Sequence, residues 1–321
     1  MTNSYSMIST RVIFVIILLL PFNQLISCFP GPDYPPCWPT SPLPGEPVCG
    51  DDVDNLQFAQ NVEHLEADYF LWGGLGFGLD EIAPWLVMGG PPPIGARKAD
   101  LDYLTEAIIT EMAYQEVGHL RALKSTVGGI PRPLMDLSAS TFAKFFDEAF
   151  GFALDPPFDP YRDSLSYILS VYVLPYVGLT AYTGANPFLC GYRSKRLTAG
   201  LLSAESGQDA IIRTYLYERA KCLVEPYNYT VAEFTIRLSK LRNRLGMCGI
   251  KDEGLFVPIY LGAENRTYSN LLSLNYDSLS YPRSPEEVLR ILYQTGDEHV
   301  PGGFYPHGAN GRIARQLLPT P

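Results

Sequence analysis

From residue 51 onward, apolar side chains recur every third or fourth position in long runs, the spacing that gathers them on one face of an α-helix. Leu56, Ala59, Glu63, Glu66 and Phe70 share one such stripe. An opening of acids and Asn55 suits a helix start, and "WGGLGFG" ends or kinks the run. A second helix is predicted over residues 99–127, with Leu101, Leu104, Ile108, Met112, Glu116, His119 and Leu123 on its inner face, until "GGIPRPL" stops it. Residues 138–162 form a long connection with a short helix near 142–150. A third helix is predicted over 163–184, aligned on Leu165, Tyr172, Tyr176, Leu179 and Thr183 and kinked at Pro175. A fourth covers 193–224, aligned on Leu201, Glu205, Gln208, Ile212 and Tyr215. A shorter fifth spans 227–249, where Thr230 and Glu233 have capping-box spacing, and another lies near "SPEEVLRILYQTG". Strand-like alternation is weak, so the predicted class is all-α. Two pairs of long helices joined by a long connection predict a four-helix bundle with a crossover, followed by extra C-terminal helices and loops.

The pattern changes at the N-terminus. Arg11 precedes the apolar run "VIFVIILLLPF", which is short for a bilayer-spanning helix but suits a secretory signal peptide, with Ser27 and Cys28 as small residues for cleavage. The predicted organisation is a signal peptide over 1–28, a Pro-rich arm over 29–50, the bundle over 51–226 and an extension over 227–321. The expected product is soluble and extracellular (apoplast or cell wall, with the vacuole as the alternative), with no membrane association after cleavage. Sequons at Asn228 ("NYT") and Asn265 ("NRT") suit such a protein as glycosylation sites. None of the six cysteines forms a C-x-x-C pair, which argues against thiolate metal binding and for disulfides. Cys37 with Cys49 is the preferred pairing, closing a short Pro-rich loop.

Composition then narrows the function. At 46% hydrophobic and 18% charged the chain is globular, and a net charge of −10 without a Lys/Arg run excludes a nucleic-acid binder. Bundles that hold metal in their core take a Glu from each of two helices and Glu-x-x-His from each of the other two. Glu63, Glu116 with His119, and Glu205 answer that pattern, while Tyr176 and Gln208 stand as weak substitutes at the remaining positions. Bare carboxylates in a core cost several kcal/mol each. Either cations neutralise them, or they protonate and bond to one another, His119, Tyr176 and Gln208. His64 turns about 100° from Glu63 on a helix, toward packing or surface. His299 and His307 are expected at the surface, and the Tyr and Phe residues in the core, with a minority available to sugars. No hydrolase triad is evident, so no catalytic residue is assigned.

The segments "LEADYFLWGGLGFGLD", "GGPPPIGARKADLDYLTEAIITEMAYQEVGHLRAL", "YVLPYVGLTAYTGANP", "GLLSAESGQDAIIRTYLYERA" and "VPGGFYPHGANGRIAR" occur here in that order. They resemble the plant desiccation-related proteins of the ferritin-like superfamily, from about residue 50 to the end. The resemblance implies a ferritin-like bundle, export and an association with desiccation stress. Related bundles with the full ligand set bind two iron or manganese ions. Glu63, Glu116, His119 and Glu205 carry over, whereas Tyr176 and Gln208 depart from the pattern. The expectation is therefore a secreted, protective, non-enzymatic protein with a metal-free polar core, ahead of one iron or manganese ion, and that ahead of two. The alternatives are an iron- or manganese-dependent oxidase or peroxide-handling enzyme, and a protein that binds cell-wall polysaccharide.

Overall fold

The computed structural model describes residues 48–251 and 253–319, so the predicted signal peptide, most of the predicted arm and Cys37 lie outside the described residues. Within them run α1 (Gly50–Leu75), the one-turn helices α2 (Leu79–Ile82) and α3 (Pro84–Val87), α4 (Tyr103–Val127), α5 (Ala139–Phe150), α6 (Ser164–Val171), α7 (Pro175–Ala185), α8 (Tyr192–Glu218), α9 (Val231–Gly246), α10 (Pro285–Tyr293) and α11 (Arg312–Leu317). No strand longer than an isolated bridge occurs among them. α1 packs along α4, and α7 along α8, with the segment 128–163 crossing over between the two pairs. Bundle and C-terminal extension belong to one compact unit.

Local chemistry sets the helix ends. α1 stops at Gly76, whose φ of 86° few side chains tolerate. α4 begins at Tyr103, four residues later than predicted. The preceding backbone is committed elsewhere: Ala99 N–H donates to Gly73 O and Asp100 N–H to Tyr161 O, both at 3.0 Å. Asp102 then caps α4 by accepting from Thr105 N–H at 2.9 Å. α8 ends at Glu218 rather than near 224, because the chain tightens into i→i+3 turns through Ala220 and folds back. α9 starts in the predicted Thr230–Glu233 capping box, and a second such box at Ser284–Glu287 opens α10.

The third bundle helix is two pieces. Around Pro175 the bonds Val173 N–H to Ser170 O and Leu174 N–H to Val171 O are of i→i+3 type, so α7 restarts in a new phase. Ser164–Phe188 is apolar and long enough to cross a membrane, yet it is mostly buried, as befits a core element.

α1 departs most from its predicted single stripe, being buried over most of its circumference. The C-terminal segment closes its second face. Asn61 Nδ2 donates to Asn310 O, Asn310 N–H to Asn61 Oδ1 and Tyr305 O–H to Asn61 O, at 2.7–2.9 Å. His64, buried on that side, is held neutral, its pKa pulled down to about 3 by burial and by the charge of Arg132. Aromatic rings fill the rest of the core, with Tyr69 stacked between Phe142 and Tyr167.

Candidate metal centre

Spacing of three along a helix puts two side chains on one face, and three helices use it here. α1 presents Glu63 and Glu66, α4 presents Glu116 and His119, and α8 presents Glu205 and Gln208. The four carboxyls are all 1% exposed or less, in the middle of the bundle. Three of them, on Glu63, Glu116 and Glu205, converge on one ring nitrogen. His119 Nδ1 lies 3.0 Å from Glu116 Oε2, 3.1 Å from Glu63 Oε2 and 3.6 Å from Glu205 Oε1. One ligand atom from each of Glu63, Glu116, His119 and Glu205 falls within 4.8 Å of all the others, close enough to share an ion. Gln208 Nε2 donates to Glu116 Oε1 at 2.5 Å and to Gln115 Oε1 at 3.2 Å. Gln115 is exposed, so the centre lies one side chain below the α4–α8 surface.

All four principal residues inferred from sequence thus meet, and the fifth, Gln208, joins them as a donor to a carboxylate. Tyr176 does not. Its hydroxyl donates to Lys251 O (2.7 Å) and Ser273 O (3.2 Å), and its ring lies between 4.9 and 5.5 Å from Arg213, Arg242 and Arg283. The residues of α7 that face the centre are Gly178 and Tyr182. At 100° per residue, Tyr176 points about 200° away from Gly178. Tyr182 O–H donates to Glu63 Oε1. A Cβ at Gly178 would sit 3.2 Å from Glu205 Oε2 and 3.5 Å from Glu66 Oε1, so this wall has no side chain where a fourth helix would normally offer a carboxylate. Glu66 Oε1, from α1, lies against the same bare wall, beside the four ligand atoms that could share an ion. The signal for it was the spacing Glu63-x-x-Glu66 on a helix already carrying one ligand.

The electrostatics follow from burial. It pushes Glu66 and Glu116 well above the usual carboxylate range, aided by neighbouring carboxylates, Glu205 foremost. It raises Glu205 to about 7, against the pull of the protonated His119 ring 3.6 Å away. Burial also works against ionised Glu63, but the charge and hydrogen bond of His119, with bonds from Glu116 and Tyr182, outweigh it and hold Glu63 low. Burial likewise disfavours a charged His119, and the carboxylates reverse that, led by Glu63, so the ring stays protonated. Without metal, the core is a Glu63–His119 ion pair surrounded by carboxylic acids.

That arrangement leaves acceptors idle. Neither oxygen of Glu66 nor either oxygen of Glu205 has a hydrogen-bond partner, and Gln208 Oε1 has none. Buried acceptors without partners cost about 1–3 kcal/mol each, and metal coordination removes that cost. A set of three carboxylates and one imidazole, with the idle oxygens of Glu66 and Gln208 nearby, is hard and oxygen-rich, which suits iron or manganese better than zinc. The residues present therefore fit a metal. A second acidic group, Asp297, Glu298 and His299, is used structurally: Glu298 accepts from Arg290, Asp297 from His299 N–H, and His299 Nδ1 bonds Leu317 O. His307 is exposed, as expected.

The ferritin-like domain profile matches residues 51–218, more than half of the chain and every residue of the centre. The chain belongs to the ferritin-like family. Within the family, it is 61% identical to "Ferritin-like catalase Nec2" of Nesocodon mauritianus over 303 residues, 94% of this chain and 96% of that one. It is 51% identical to "Desiccation-related protein PCC13-62" of Craterostigma plantagineum over 261 residues, 81% of this chain and 83% of that one. No solved structure gives a significant match. The family bundle and the likeness to desiccation-related proteins agree with expectation.

Metal uptake must displace protons from the raised carboxyls and from His119, so affinity should rise with pH. Below pH 7, where Glu205 alone must lose one proton, the affinity for Mn²⁺ should rise at least about tenfold per pH unit. Stability of the metal-free fold has the opposite slope. Glu205 binds its proton more tightly folded than unfolded, so stability falls as pH rises from its ordinary value toward 7. Titration calorimetry at pH 5.5, 6.25 and 7 (about this range) checks the first slope, and an affinity flat with pH contradicts it.

Proposed function

We propose that this chain is a metal-dependent peroxide-disproportionating protein that protects an exported compartment under water stress. The observation that carries this is the buried carboxylate set with idle oxygens on Glu66 and Glu205, beside a single imidazole. The extensive likeness to a ferritin-like catalase supports the reaction, and the likeness to a desiccation-related protein supports the setting. Disproportionation takes two hydrogen peroxide molecules to two waters and one dioxygen. Four carboxylates balance two divalent ions, which favours a pair over the single ion that three carboxylates suggest.

Glu63, Glu66, Glu116, His119 and Glu205 would hold iron or manganese, with Gln208 Oε1 as a further oxygen donor. Such a pair, when bound, supplies the two-electron exchange that reducing one peroxide and oxidising another requires. The chain's own groups do the rest. Tyr182 and Gln208 each donate to one carboxylate, fixing which of its oxygens turns inward. Gly178 leaves room beside Glu205 and Glu66 for something larger than a proton. The surrounding helices exclude bulk water, and His119 is the one partly exposed side chain among the proposed ligands, on the side where Gln208 bonds to the exposed Gln115.

The proposal extends to the exposed sequons Asn228 and Asn265 as glycan sites. A metal-free protective scaffold is the second reading, favoured by the hydrogen bonds that Tyr182, His119 and Gln208 already give Glu63 and Glu116. An oxygen electrode separates the two. Manganese- or iron-loaded protein should release one dioxygen per two peroxides consumed, and Gly178→Val, which removes no donor, should suppress it. Release no faster than from the free ion at equal concentration excludes the enzymatic reading.

A further inference from the structure

Cys49 and Cys190 are 141 positions apart in sequence and adjacent in space. Cys49 is the residue that precedes α1, its carbonyl accepting the first helical bond from Val53 N–H at 3.0 Å. Cys190 precedes Gly191, which stands at the start of α8. Asp52, in the first turn of α1, holds the two together. Its Oδ1 accepts from Cys190 N–H at 2.8 Å and its Oδ2 from Gly191 N–H at 2.9 Å, and the carboxylate is itself fully buried. Both thiols are solvent-exposed, and Cys49 is near enough to Cys190 to raise its pKa. Each cysteine is therefore anchored by backbone bonds on an independent helix start, and Asp52 draws the two starts together, as a disulfide between them would require.

We propose that Cys49 and Cys190 form a disulfide that joins the N-terminal ends of α1 and α8. The position matters to the centre. Glu63 lies 14 residues beyond Cys49 and Glu205 lies 15 beyond Cys190, so both arms are about 21–23 Å long at about 1.5 Å per residue. A link at their common end fixes the axial register in which α1 and α8 present these carboxylates. The oxidant is a small or protein disulfide, acting by exchange. One thiolate attacks its S–S bond to give a mixed disulfide, and the second thiolate displaces the remaining sulfur. Two thiols are oxidised to one S–S bond, and the oxidant leaves as two thiols carrying the two protons. The pairing does not depend on the proposed reaction, and it competes with Cys37–Cys49 for Cys49.

The test uses the full chain from a secretory host, alkylated with N-ethylmaleimide before unfolding and digested without reduction. Mass spectrometry should show one Cys49–Cys190 peptide pair, two hydrogens lighter than the sum of its parts. Alkylation at both cysteines, persisting after incubation with oxidised glutathione, overturns the proposal, as does a Cys37–Cys49 pair. Thermal unfolding gives a second readout. Cys49→Ser and Cys190→Ser should each lower Tm by on the order of 10 °C, as closing so long a loop predicts, with no further loss in the double variant. Additive losses contradict a bond between them.

Discussion

Glu66→Leu should lower the protein's metal content by at least half and make its metal-free form more stable. Glu66 is buried, its pKa lies well above the usual range, and neither of its oxygens has a hydrogen-bond partner. In the metal-free fold it is a liability, and an apolar side chain of similar size should add about 1–2 kcal/mol. In the loaded protein it is the fourth carboxylate that balances the second ion, so its loss should reduce bound metal to one ion or fewer and peroxide turnover by about 100-fold or more. Elemental analysis, oxygen release and chelator-treated unfolding curves measure the three effects. A variant with unchanged metal content would show that Glu66 is only a buried acid. The opposite signs matter, because general damage to the fold would lower all three together.

Arg132→Met should be among the most damaging single changes to stability. The Arg132 side chain is fully buried in the crossover, where Nη1 donates to Asp68 Oδ2 and Nη2 to Asp80 Oδ1, each at 2.9 Å, and Nη2 to Gly90 O at 3.2 Å. Asp68, two residues beyond Glu66 on α1, also accepts from Leu79 N–H at 2.9 Å. Burial lifts Asp68 to about 6 even with the guanidinium beside it. Removing Arg132 leaves a buried carboxylate with its main charge partner gone, at a cost of about 3–5 kcal/mol, or on the order of 10 °C in Tm. The loss should be larger at pH 8 than at pH 5, where Asp68 protonates and the missing charge matters less. Denaturant unfolding at both pH values checks size and sign. An equal loss at both would assign the damage to packing alone.

The centre was legible in sequence as far as local periodicity reaches. Glu116 with His119 and Glu205 with Gln208 each lie within one helical turn, so their side chains share a face whatever surrounds them. Glu66 was visible on the α1 stripe, but its place as a fourth carboxylate needed the position of α7, where Gly178 leaves the wall open. A single helix from 163 to 184, phased on Leu165 and Tyr172, places Tyr176 on the inner face and leaves Tyr182 off it. The turn ahead of Pro175 resets that phase, and no residue in the sequence announces by how much. The burial of α1 on both faces was invisible for another reason. It depends on contacts such as Asn61 with Asn310, separated by 249 positions and specified by backbone hydrogen bonds rather than by a hydrophobic pattern. Helix ends followed the same division: the Thr230 and Ser284 caps were set by neighbours in sequence, whereas α4 starts late because Ala99 and Asp100 bond to distant segments.

The most direct test of the metal centre is metal content. The full chain is purified without chelators or metal-leaching resins, incubated with Mn²⁺ or Fe²⁺ at pH 7.5, desalted and analysed for metal by mass spectrometry. The proposed function predicts about two ions per chain, as four carboxylates balance two divalent charges, and fewer than about 0.2 in Glu116→Ala. Less than about 0.1 ion per chain in the unaltered protein would contradict a metal centre and leave Glu63, Glu66, Glu116, His119 and Glu205 as a protonated polar core.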